Sequence, residues 1–279
     1  MKYKLIAIDV DGTLNKDDHT TSIENINAIK KAIENNIKVI LCSGRSPASL
    51  HYFEEIIGLN IPNSYGIGFN GACVYDAYIK QNIFGEFIEK SVAKKIIKKI
   101  KNLDTNIKLA FYSENDILIA EKGLEKILTT YTEGSDINIQ FSDEITEDSI
   151  KSDILNIYFI QERTYLEPIF ETFKNDEILG YTVSFTQENL IEFMPLKINK
   201  ANGLLKLCNH LNITMNEVVT VGDNYNDIEM VKEAGLGIAV SNAVKELKDI
   251  ADYVTKRNNN KSAIEEVVDL VIQRNNEYN

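Results

Sequence analysis

Two aspartates separated by a single residue, Asp9 and Asp11, carry the first chemical signal of this sequence. They follow the apolar run 5–8, which predicts a buried parallel strand. Since side chains alternate along a strand, both carboxylates leave its carboxyl end in the same direction. Two carboxylates so close repel each other unless a cation or a shared proton holds them. The spacing therefore predicts a metal or proton-transfer site, with a plain aspartate-rich turn as the alternative.

Ser43 and Gly44 follow the next predicted strand, residues 37–41. Pro47 comes next, at a position that proline tolerates in the first turn of a helix. Backbone amides and a hydroxyl at a helix N-terminus can bind a phosphate group. Taken alone, these residues are better explained as the N-cap of a helix at 48–57.

A third polar cluster, Asp223, Asn226 and Asp227, follows the predicted strand 217–221. Lys200 begins the helix that precedes this strand. Carboxylates from two strands, together with substrate phosphate oxygens, are the ligands with which proteins usually hold Mg²⁺. The three strand ends together predict one magnesium- and phosphate-binding site more specifically than any of them does alone.

The elements around these residues repeat as strand, helix and strand within roughly 40 residues, which predicts a parallel sheet. In such a sheet, ligands bind outside the carboxyl ends of the strands. Residues 83–190 differ: they begin with a helix at 87–103 and continue as paired strands with helices between them, which predicts an antiparallel sheet. We therefore expect an α/β fold with a Rossmann-like parallel core, residues 1–82 and 191–279, and an inserted α+β cap domain, residues 83–190.

The overall composition narrows the class of protein. The 279 residues carry a formal net charge of −12, which argues against a nucleic-acid partner because a phosphate backbone needs a positive surface. Three widely spaced cysteines without a CxxC motif fit reduced thiols better than a disulfide framework. No apolar run is long enough for a membrane span or a signal peptide, so we expect a cytoplasmic protein without a membrane partner.

Taken in order, the motifs resemble those of the haloacid dehalogenase superfamily, in its Cof-type group of phosphatases with a large α/β cap. The first motif, DxDGT, matches residues 9–13, and the second, a serine or threonine at a strand end, matches Ser43. The third, a lysine ahead of a helix, matches Lys200. The fourth, GDxxND, matches residues 222–227 without a gap, and the stretch 70–72 also resembles this group.

The third motif departs from the family pattern. It reads Asn199-Lys200-Ala201, where the family usually has serine, lysine and glycine, and Lys197 is an alternative lysine. The cap segment matches the family only in length and pattern. The resemblance therefore covers the core from end to end. It does not identify the residues that determine substrate specificity.

The resemblance implies a Mg²⁺-dependent phosphatase that hydrolyses small phosphomonoesters, such as sugar phosphates or phosphorylated cofactors, through an aspartyl-phosphate. Asp9 would be the nucleophile, and Asp11 would protonate the leaving alkoxide and then activate water. Mg²⁺ would be bound by Asp9, the backbone carbonyl of Asp11 and Asp223, with Asp227 holding a metal-bound water. The cap would close over the site and choose the leaving group. The phosphoryl oxygens would be bound by four further groups: Ser43, the Gly44 amide, Lys200 and Asn226.

Two other functions use the same motifs. A phosphotransferase, for example a phosphomutase, would pass the phosphoryl group from the same nucleophile to a sugar hydroxyl rather than to water. A regulator that binds a phosphorylated metabolite without turnover would need no proton shuttle at Asp11. The complete set of motifs therefore favours the phosphatase, with a small phosphorylated metabolite as its partner.

Overall fold

The structure is a computed structural model that describes residues 2–103, 106–113, 117–132, 137–174 and 180–278. Its strands, in chain order, are β1 Leu5–Ile8, β2 Lys38–Cys42, β3 Tyr65–Gly68, β4 Cys73–Asp76, β5 Gln81–Gly85, β6 Lys108–Ser113, β7 Leu118–Glu121, β8 Ile139–Ser142, β9 Ile154–Ile160, β10 Tyr181–Gln187, β11 Leu190–Pro195, β12 Val218–Gly222, β13 Leu236–Ala239 and β14 Tyr253–Val254. Its α-helices are α1 Ile23–Glu34, α2 Pro47–Ile57, α3 Lys90–Leu103, α4 Glu125–Thr132, α5 Arg163–Phe173, α6 Lys200–Leu211, α7 Ile228–Glu233, α8 Lys245–Ile250 and α9 Ala263–Tyr278.

The chain folds into two compact units. The first contains Met1–Phe84 and Asn199–Asn279, and the second is the continuous segment Gly85–Ile198. The cap was expected to end at residue 190, whereas the second unit continues to Ile198. The reason is that β11 pairs with β9 and β10 and so belongs to the sheet of the second unit. The second boundary therefore follows β11 instead of preceding it.

Eight described strands form the sheet of the first unit, called the first sheet below. Its order is β14-β13-β12-β1-β2-β3-β4-β5. The strands from β14 to β3 run parallel, and β4 is antiparallel to β3. β1 is central and buried along its length, and its Ile8 pairs with Leu41 on one side and Val221 on the other. The predicted α/β class, with a Rossmann-like parallel sheet, is confirmed.

The carboxyl ends of β1, β2 and β12 lie at one edge of the first sheet, because these strands are parallel neighbours. Asp9 follows β1, Ser43 follows β2 and Asp223 follows β12. The strands themselves are almost wholly buried, so packing on both faces fixes their register. The fold thus brings the three polar strand ends of the sequence to the same edge.

Six described strands form the sheet of the second unit, called the second sheet, in the order β10-β11-β9-β6-β7-β8. Its neighbours are antiparallel except β7 and β8, which run parallel. Helices α3 and α5 pack on one face, in a buried apolar cluster that includes Ile97, Phe159, Leu166 and Phe193. The α+β module is present, with one parallel pair in a sheet expected to be antiparallel.

Several elements of the structure differ from the sequence prediction. α3 begins at Lys90 rather than at residue 87, because Ile88 forms a bridge with Ile154 of β9 and is held extended. β4, β5 and β8 were not predicted. In β5 and β8 the side chains are mostly exposed, so no apolar pattern marks these strands in the sequence.

Two expectations drawn from composition concern the cysteines and the membrane. Cys42, Cys73 and Cys208 are buried thiols that form no disulfide in the described part of the chain. Burial raises the pKa of the Cys42 thiol to about 12 and that of the Cys208 thiol to about 11, so both stay protonated at neutral pH. Among the described residues, no helix combines the length and the apolar character that crossing a bilayer requires.

Candidate active site

Lys200 occupies the centre of a charged cluster at the carboxyl edge of the first sheet. It is the first residue of α6, and its side chain is completely buried. Its Nζ donates hydrogen bonds of 2.6 Å to Oδ1 of Asp9 and to Oδ1 of Asp227. Burial alone would lower the pKa of Lys200, but the two carboxylates outweigh it and raise that pKa above its ordinary value. The ammonium therefore stays charged and fixes both aspartates.

The start of α6 determines where Lys200 enters the site. Asn199 is the N-cap, and its side chain accepts a hydrogen bond of 2.8 Å from the amide of Asn202. Asparagine suits this position as well as the serine usual in the family. A Cβ on Gly71, whose φ is +101°, would lie 2.1 Å from the Asn199 carbonyl oxygen, so glycine lets the turn after β3 pack against the helix start. Lys200, and not the alternative Lys197, is the lysine observed against Asp9.

Protein groups engage both oxygens of the Asp227 carboxylate. Oδ1 accepts from Lys200, and Oδ2 accepts from the amides of Asp223 and Asn224 at 2.9 Å and 3.0 Å. The residue is fully buried in the short turn that follows β12. Asp227 thus orders this loop and anchors the lysine.

Carboxylate oxygens of Asp9, Asp223 and Asp227 lie within 4.8 Å of one another. Lys200 supplies one positive charge against these three negative ones. Burial, the largest cause, and the neighbouring carboxylates raise the pKa of Asp9 well above its usual value and also raise the pKa of Asp223. Oxygen donors with excess negative charge fit a hard divalent cation such as Mg²⁺, which would keep both carboxylates ionised.

Asp223 is positioned by the turn that follows β1. Thr13 Oγ1 donates a hydrogen bond of 3.0 Å to Oδ1 of Asp223. A Cβ on Gly12, whose φ is +80°, would lie 2.5 Å from Oδ2 of the same carboxylate, so the glycine of the first motif is needed for this close approach. Asn242 Nδ2 donates a hydrogen bond of 2.7 Å to the Gly12 carbonyl and holds the turn from the loop after β13.

Asp11 does not join the Asp9 cluster. Its carboxylate forms a two-point ion pair with Arg45, in which Nε and Nη2 each donate at 2.7 Å. The Arg45 guanidinium lies 4.9 Å from the centroid of the Phe53 ring and donates a longer hydrogen bond to Ser49. The side chain of Asp11 is 45% exposed, compared with 7% for Asp9. The two aspartates of the first motif therefore occupy different environments.

Ser43 is not the N-cap of α2. That role belongs to Ser46, whose hydroxyl accepts a hydrogen bond of 3.2 Å from the amide of Ser49. The Ser43 hydroxyl instead accepts from the Arg45 amide at 3.3 Å. The helix is therefore capped within the predicted stretch, by Ser46 and not by Ser43, and α2 begins at Pro47.

Asn226 and Gly44 meet at a third side chain, Asn70. Asn226 Nδ2 donates a hydrogen bond of 2.9 Å to Oδ1 of Asn70. A Cβ on Gly44 would lie 3.2 Å from the side-chain amide of the same asparagine. Asn70 has a φ of +53°, in the left-handed region that asparagine tolerates. The structure thus joins the turn after β3 to two of the predicted phosphate-binding residues.

Four residues of this site were given no role from the sequence: Thr13, Arg45, Asn70 and Asn242. Arg45 follows Ser43-Gly44 directly. Its positive charge at a polar strand end could have predicted a role in the site. Asn70 belongs to an Asn-Gly turn signal. Thr13 is the last residue of the first motif, whereas Asn242 had no signal, since its role depends on loops that meet only in the fold.

The sequence model of the haloacid dehalogenase-like hydrolases matches residues 6–268. The chain belongs to this family. The match of the haloacid dehalogenase-like hydrolases runs through both units, from β1 to α9, and includes every residue of the site described above.

Relatives of this haloacid dehalogenase-like hydrolase include two proteins of Bacillus subtilis. The 5-amino-6-(5-phospho-D-ribitylamino)uracil phosphatase YcsE is 30% identical over 255 residues, which cover 91% of this chain and 90% of the relative. Phosphatase YwpJ is 29% identical over 283 residues, which cover 91% and 95%. The crystal structure of TM0651 from Thermotoga maritima is similar with a TM-score of 0.84 and 29% identity, covering 96% of this chain and 97% of that one.

These similarities confirm the predicted family, a Cof-type group of the haloacid dehalogenase superfamily, and the enzyme class, a phosphoric monoester hydrolase. The aligned regions cover more than nine tenths of the chain rather than a single motif. The residue roles, the metal, the substrate, the cytoplasmic location and the lack of a nucleic-acid partner stay predictions.

Proposed function

We propose that this enzyme is a Mg²⁺-dependent phosphatase that hydrolyses small phosphomonoesters through an aspartyl-phosphate on Asp9. One observation carries the proposal: a buried ammonium, Lys200, holds the Asp9 carboxylate at the end of the central strand, next to two further carboxylates. A carboxylate fixed in this way can approach phosphorus without first losing a shell of water.

Mg²⁺ would be held by Asp9, Asp223 and the backbone carbonyl of Asp11, with Asp227 orienting a metal-bound water. The carboxylate cluster supports this assignment, since its oxygen donors carry more negative charge than Lys200 balances. The bound ion supplies neutralisation of the phosphoryl charge and alignment of the substrate for in-line attack. Because Lys200 and two amides already occupy the oxygens of Asp227, that residue suits an indirect role better than direct ligation.

In the first step, a carboxylate oxygen of Asp9 attacks phosphorus, and the bond from phosphorus to the ester oxygen breaks. Asp11, in its protonated form, gives its proton to the departing alkoxide, which leaves as an alcohol. Arg45 holds the Asp11 carboxylate before the reaction, so Asp11 has to leave this ion pair and take up a proton from solvent before it can act as the acid; in later turnovers it carries the proton taken from water in the second step. Lys200 keeps the Asp9 carboxylate in place throughout.

In the second step, water attacks the phosphorus of the aspartyl-phosphate, and the bond between phosphorus and the Asp9 oxygen breaks. Asp11, now a carboxylate, takes the proton of the attacking water, and inorganic phosphate leaves. Ser43, the Gly44 amide, Lys200 and Asn226 would bind the phosphoryl oxygens and stabilise the charge that spreads over them. The contact of Asn226 with Asn70, which also lies beside Gly44, supports a shared position for these groups.

The leaving group is proposed to be a sugar, a polyol or a phosphorylated cofactor. Support comes from a relative of similar length, the 5-amino-6-(5-phospho-D-ribitylamino)uracil phosphatase YcsE, whose named substrate carries its phosphate on a ribityl chain. Alcohol leaving groups need a proton, which is the role given to Asp11.

The proposal is tested by measuring phosphate release from a panel of phosphomonoesters, with Mg²⁺ and with a chelator, for the native enzyme and for Asp9→Asn. We expect release that requires the metal and falls by more than about 10³-fold in the variant, because the amide is a poor nucleophile. The matched control is Asp249→Asn, an exposed aspartate of α8 that pairs with Lys245, and it should keep full activity.

Two other outcomes would assign another function. Hexose phosphates that return as isomers with little free phosphate would identify a phosphomutase. Tight binding of a phosphorylated ligand without turnover would identify a regulator. Normal hydrolysis by a folded Asp9→Asn enzyme would remove the nucleophile from the proposal.

A further inference from the structure

The loop that follows β13, residues 240–244, touches both turns that carry the proposed metal ligands. Its Val244 amide donates a hydrogen bond of 2.8 Å to the carbonyl of Asp223. Its Asn242 side chain donates one of 2.7 Å, through Nδ2, to the carbonyl of Gly12. One short segment therefore holds the turn after β12 and the turn after β1 together.

The Asn242 side chain is held on its other side as well. Its Oδ1 accepts a hydrogen bond of 3.0 Å from the amide of Asn259. Asn259 is buried, and its Nδ2 donates at 3.1 Å to the carbonyl of Asn15, where the turn after β1 ends. Asn242 itself is exposed, so packing in the core does not explain it, whereas its two hydrogen bonds give it a fixed position.

Gly12 is the residue of the turn after β1 that most needs such a contact, because glycine has more backbone freedom than any other residue. It lies between its own carbonyl, which Asn242 holds, and the carbonyl of Asp11, which is proposed to bind the metal. Rotation about the φ bond of Gly12 turns the Asp11 carbonyl. The Asp223 carboxylate is so near that a Cβ on Gly12 would lie 2.5 Å from its Oδ2. Fixing Gly12 therefore fixes the spacing between these two ligands.

We propose that Asn242 is a positioning residue for the metal: by holding the Gly12 carbonyl, it sets the Asp11 carbonyl at the spacing from Asp223 that Mg²⁺ requires. The inference rests on the proposed function and deepens it. Mg²⁺ demands near-ideal octahedral geometry, so it tolerates little displacement of its ligands. Groups that orient the ligands of a metal typically contribute about 10–100-fold to its affinity.

The test measures the binding of Mg²⁺ alone. Isothermal titration calorimetry without substrate gives the Kd for Mg²⁺ of the native enzyme and of Asn242→Ala. We expect this Kd to rise by about tenfold or more in the variant. In assays of phosphate release, the Mg²⁺ concentration that gives the half-maximal rate should rise in parallel. The value of kcat at saturating Mg²⁺ should stay within about threefold, because the bound ion itself draws the ligands into place.

Asn275 of α9 provides a matched control at the other end of β1. Its side chain accepts a hydrogen bond of 2.7 Å from the amide of Tyr3 and donates one of 2.9 Å to the carbonyl of the same residue. It thus holds the backbone ahead of β1 with the same kind of bonds, at the end opposite to the carboxylate cluster. Asn275→Ala should lower the melting temperature, because the residue is buried, and leave the Kd for Mg²⁺ within about twofold.

Asn242→Asp separates the two hydrogen bonds of Asn242. It keeps an oxygen for the Asn259 amide, but it places a second oxygen, instead of a donor, against the Gly12 carbonyl. It also adds a negative charge, which by itself would attract Mg²⁺. Weaker binding of Mg²⁺ in this variant would therefore come from the lost donor and not from the change in charge.

The outcomes are distinct. A folded Asn242→Ala enzyme that binds Mg²⁺ with the native Kd would refute the inference and leave the phosphatase intact, even if its melting temperature fell as in Asn275→Ala. If Asn242→Ala failed to fold, Asn242→Asp would decide, and native or tighter binding of Mg²⁺ there would refute the inference. A native enzyme that neither binds Mg²⁺ nor needs it for phosphate release would fail the proposed function itself, and the inference with it.

Discussion

At the carboxyl edge of the first sheet, the Lys200 side chain is completely buried and touches two carboxylates at 2.6 Å each. In the second sheet, Glu192 is also buried, but its bonding partners are an amide and a phenol. In the first arrangement the Lys200 ammonium stays charged, because the neighbouring carboxylates raise its pKa, while burial raises the pKa of Asp9. The second has no such partner and therefore titrates near neutrality.

This difference shows two ways in which the protein buries a carboxylate. Phosphoryl transfer needs a nucleophile and a counter-charge that are held in position. The pairing of Asp9 with Lys200 suits this task, whereas Glu192 has neutral partners, and variants of both residues can test the difference.

The largest effect is expected from Lys200→Met, which leaves Asp9 and Asp227 buried without their counter-ion. We expect a loss of about 3–5 kcal/mol in the free energy of unfolding, as for other broken buried ion pairs, and no detectable turnover. Urea titration gives the stability. Lys245→Met, which breaks an exposed pair with Asp249, is the control and should leave the unfolding midpoint unchanged. If Lys200→Met were as stable as Glu192→Gln, the two buried groups would not differ in how much their partners stabilise them.

Asp11→Asn should slow every alcohol ester by about 10²–10³-fold, because the proton donor to the leaving group is lost. The loss of kcat/KM, which reports formation of the aspartyl-phosphate, should be much smaller with 4-nitrophenyl phosphate, whose phenolate departs without a proton. The value of kcat should fall for both kinds of ester, because Asp11 also activates water in the second step. Steady-state kinetics on the same panel gives both quantities. An equal loss of kcat/KM for both kinds of ester in Asp11→Asn would exclude Asp11 as the proton donor.

Glu192 should make the second unit sensitive to pH. Its pKa rises from 4.5 to about 7 on folding, so between these values the folded state binds more protons than the unfolded state. The free energy of unfolding therefore falls by at most about 3 kcal/mol as the pH rises from about 4.5 to about 7. Above about pH 7 this contribution is constant. Unfolding midpoints at pH 5 and pH 8 should differ less in Glu192→Gln than in the native protein. An identical pH dependence of both would place the titrating group elsewhere.

The smallest effect is expected from Arg45→Gln, which removes the ion pair with Asp11. This pair is partly exposed, since 24% of the arginine side chain and 45% of the aspartate side chain are accessible. We expect a change of kcat/KM of at most about tenfold and a weaker dependence on salt concentration. Arg163→Gln, in the exposed pair with Glu167, should change neither. A loss as large as that of Asp11→Asn would give Arg45 a role in the chemical step.

Much of the first sheet could be predicted because its strands are apolar runs that end in polar residues. The runs before Asp9 and Asp223 are wholly buried, and parallel pairing places their ends together. The ion pair of Asp11 with Arg45 could not be predicted, since it depends on how two loops turn after their strands. The sequence pattern gives the direction in which a strand ends, and loop conformation decides which side chains meet there.

The second sheet was harder to predict in detail. Strand β9 was expected from its composition, yet the meaning of Asn156 and Tyr158 depends on the register of β9 against β11. Register comes from pairing across the sheet and leaves no local signal. β8 was missed because it has too few buried apolar residues to show a period. Polar side chains inside an apolar strand were the one clue to the buried group of Asn156, Tyr158 and Glu192.

Asp9 and Lys200 touch although 191 positions separate them along the chain. A ribosome delivers β1 early, whereas its neighbour β12 and the helix that carries Lys200 come after the entire second unit. Until then the nascent chain exposes one edge of its central strand, and its nucleophile has no balancing ammonium. An unpaired apolar strand is a template for aggregation. The order of synthesis therefore separates the nucleophile from its counter-ion for as long as translation of the second unit lasts.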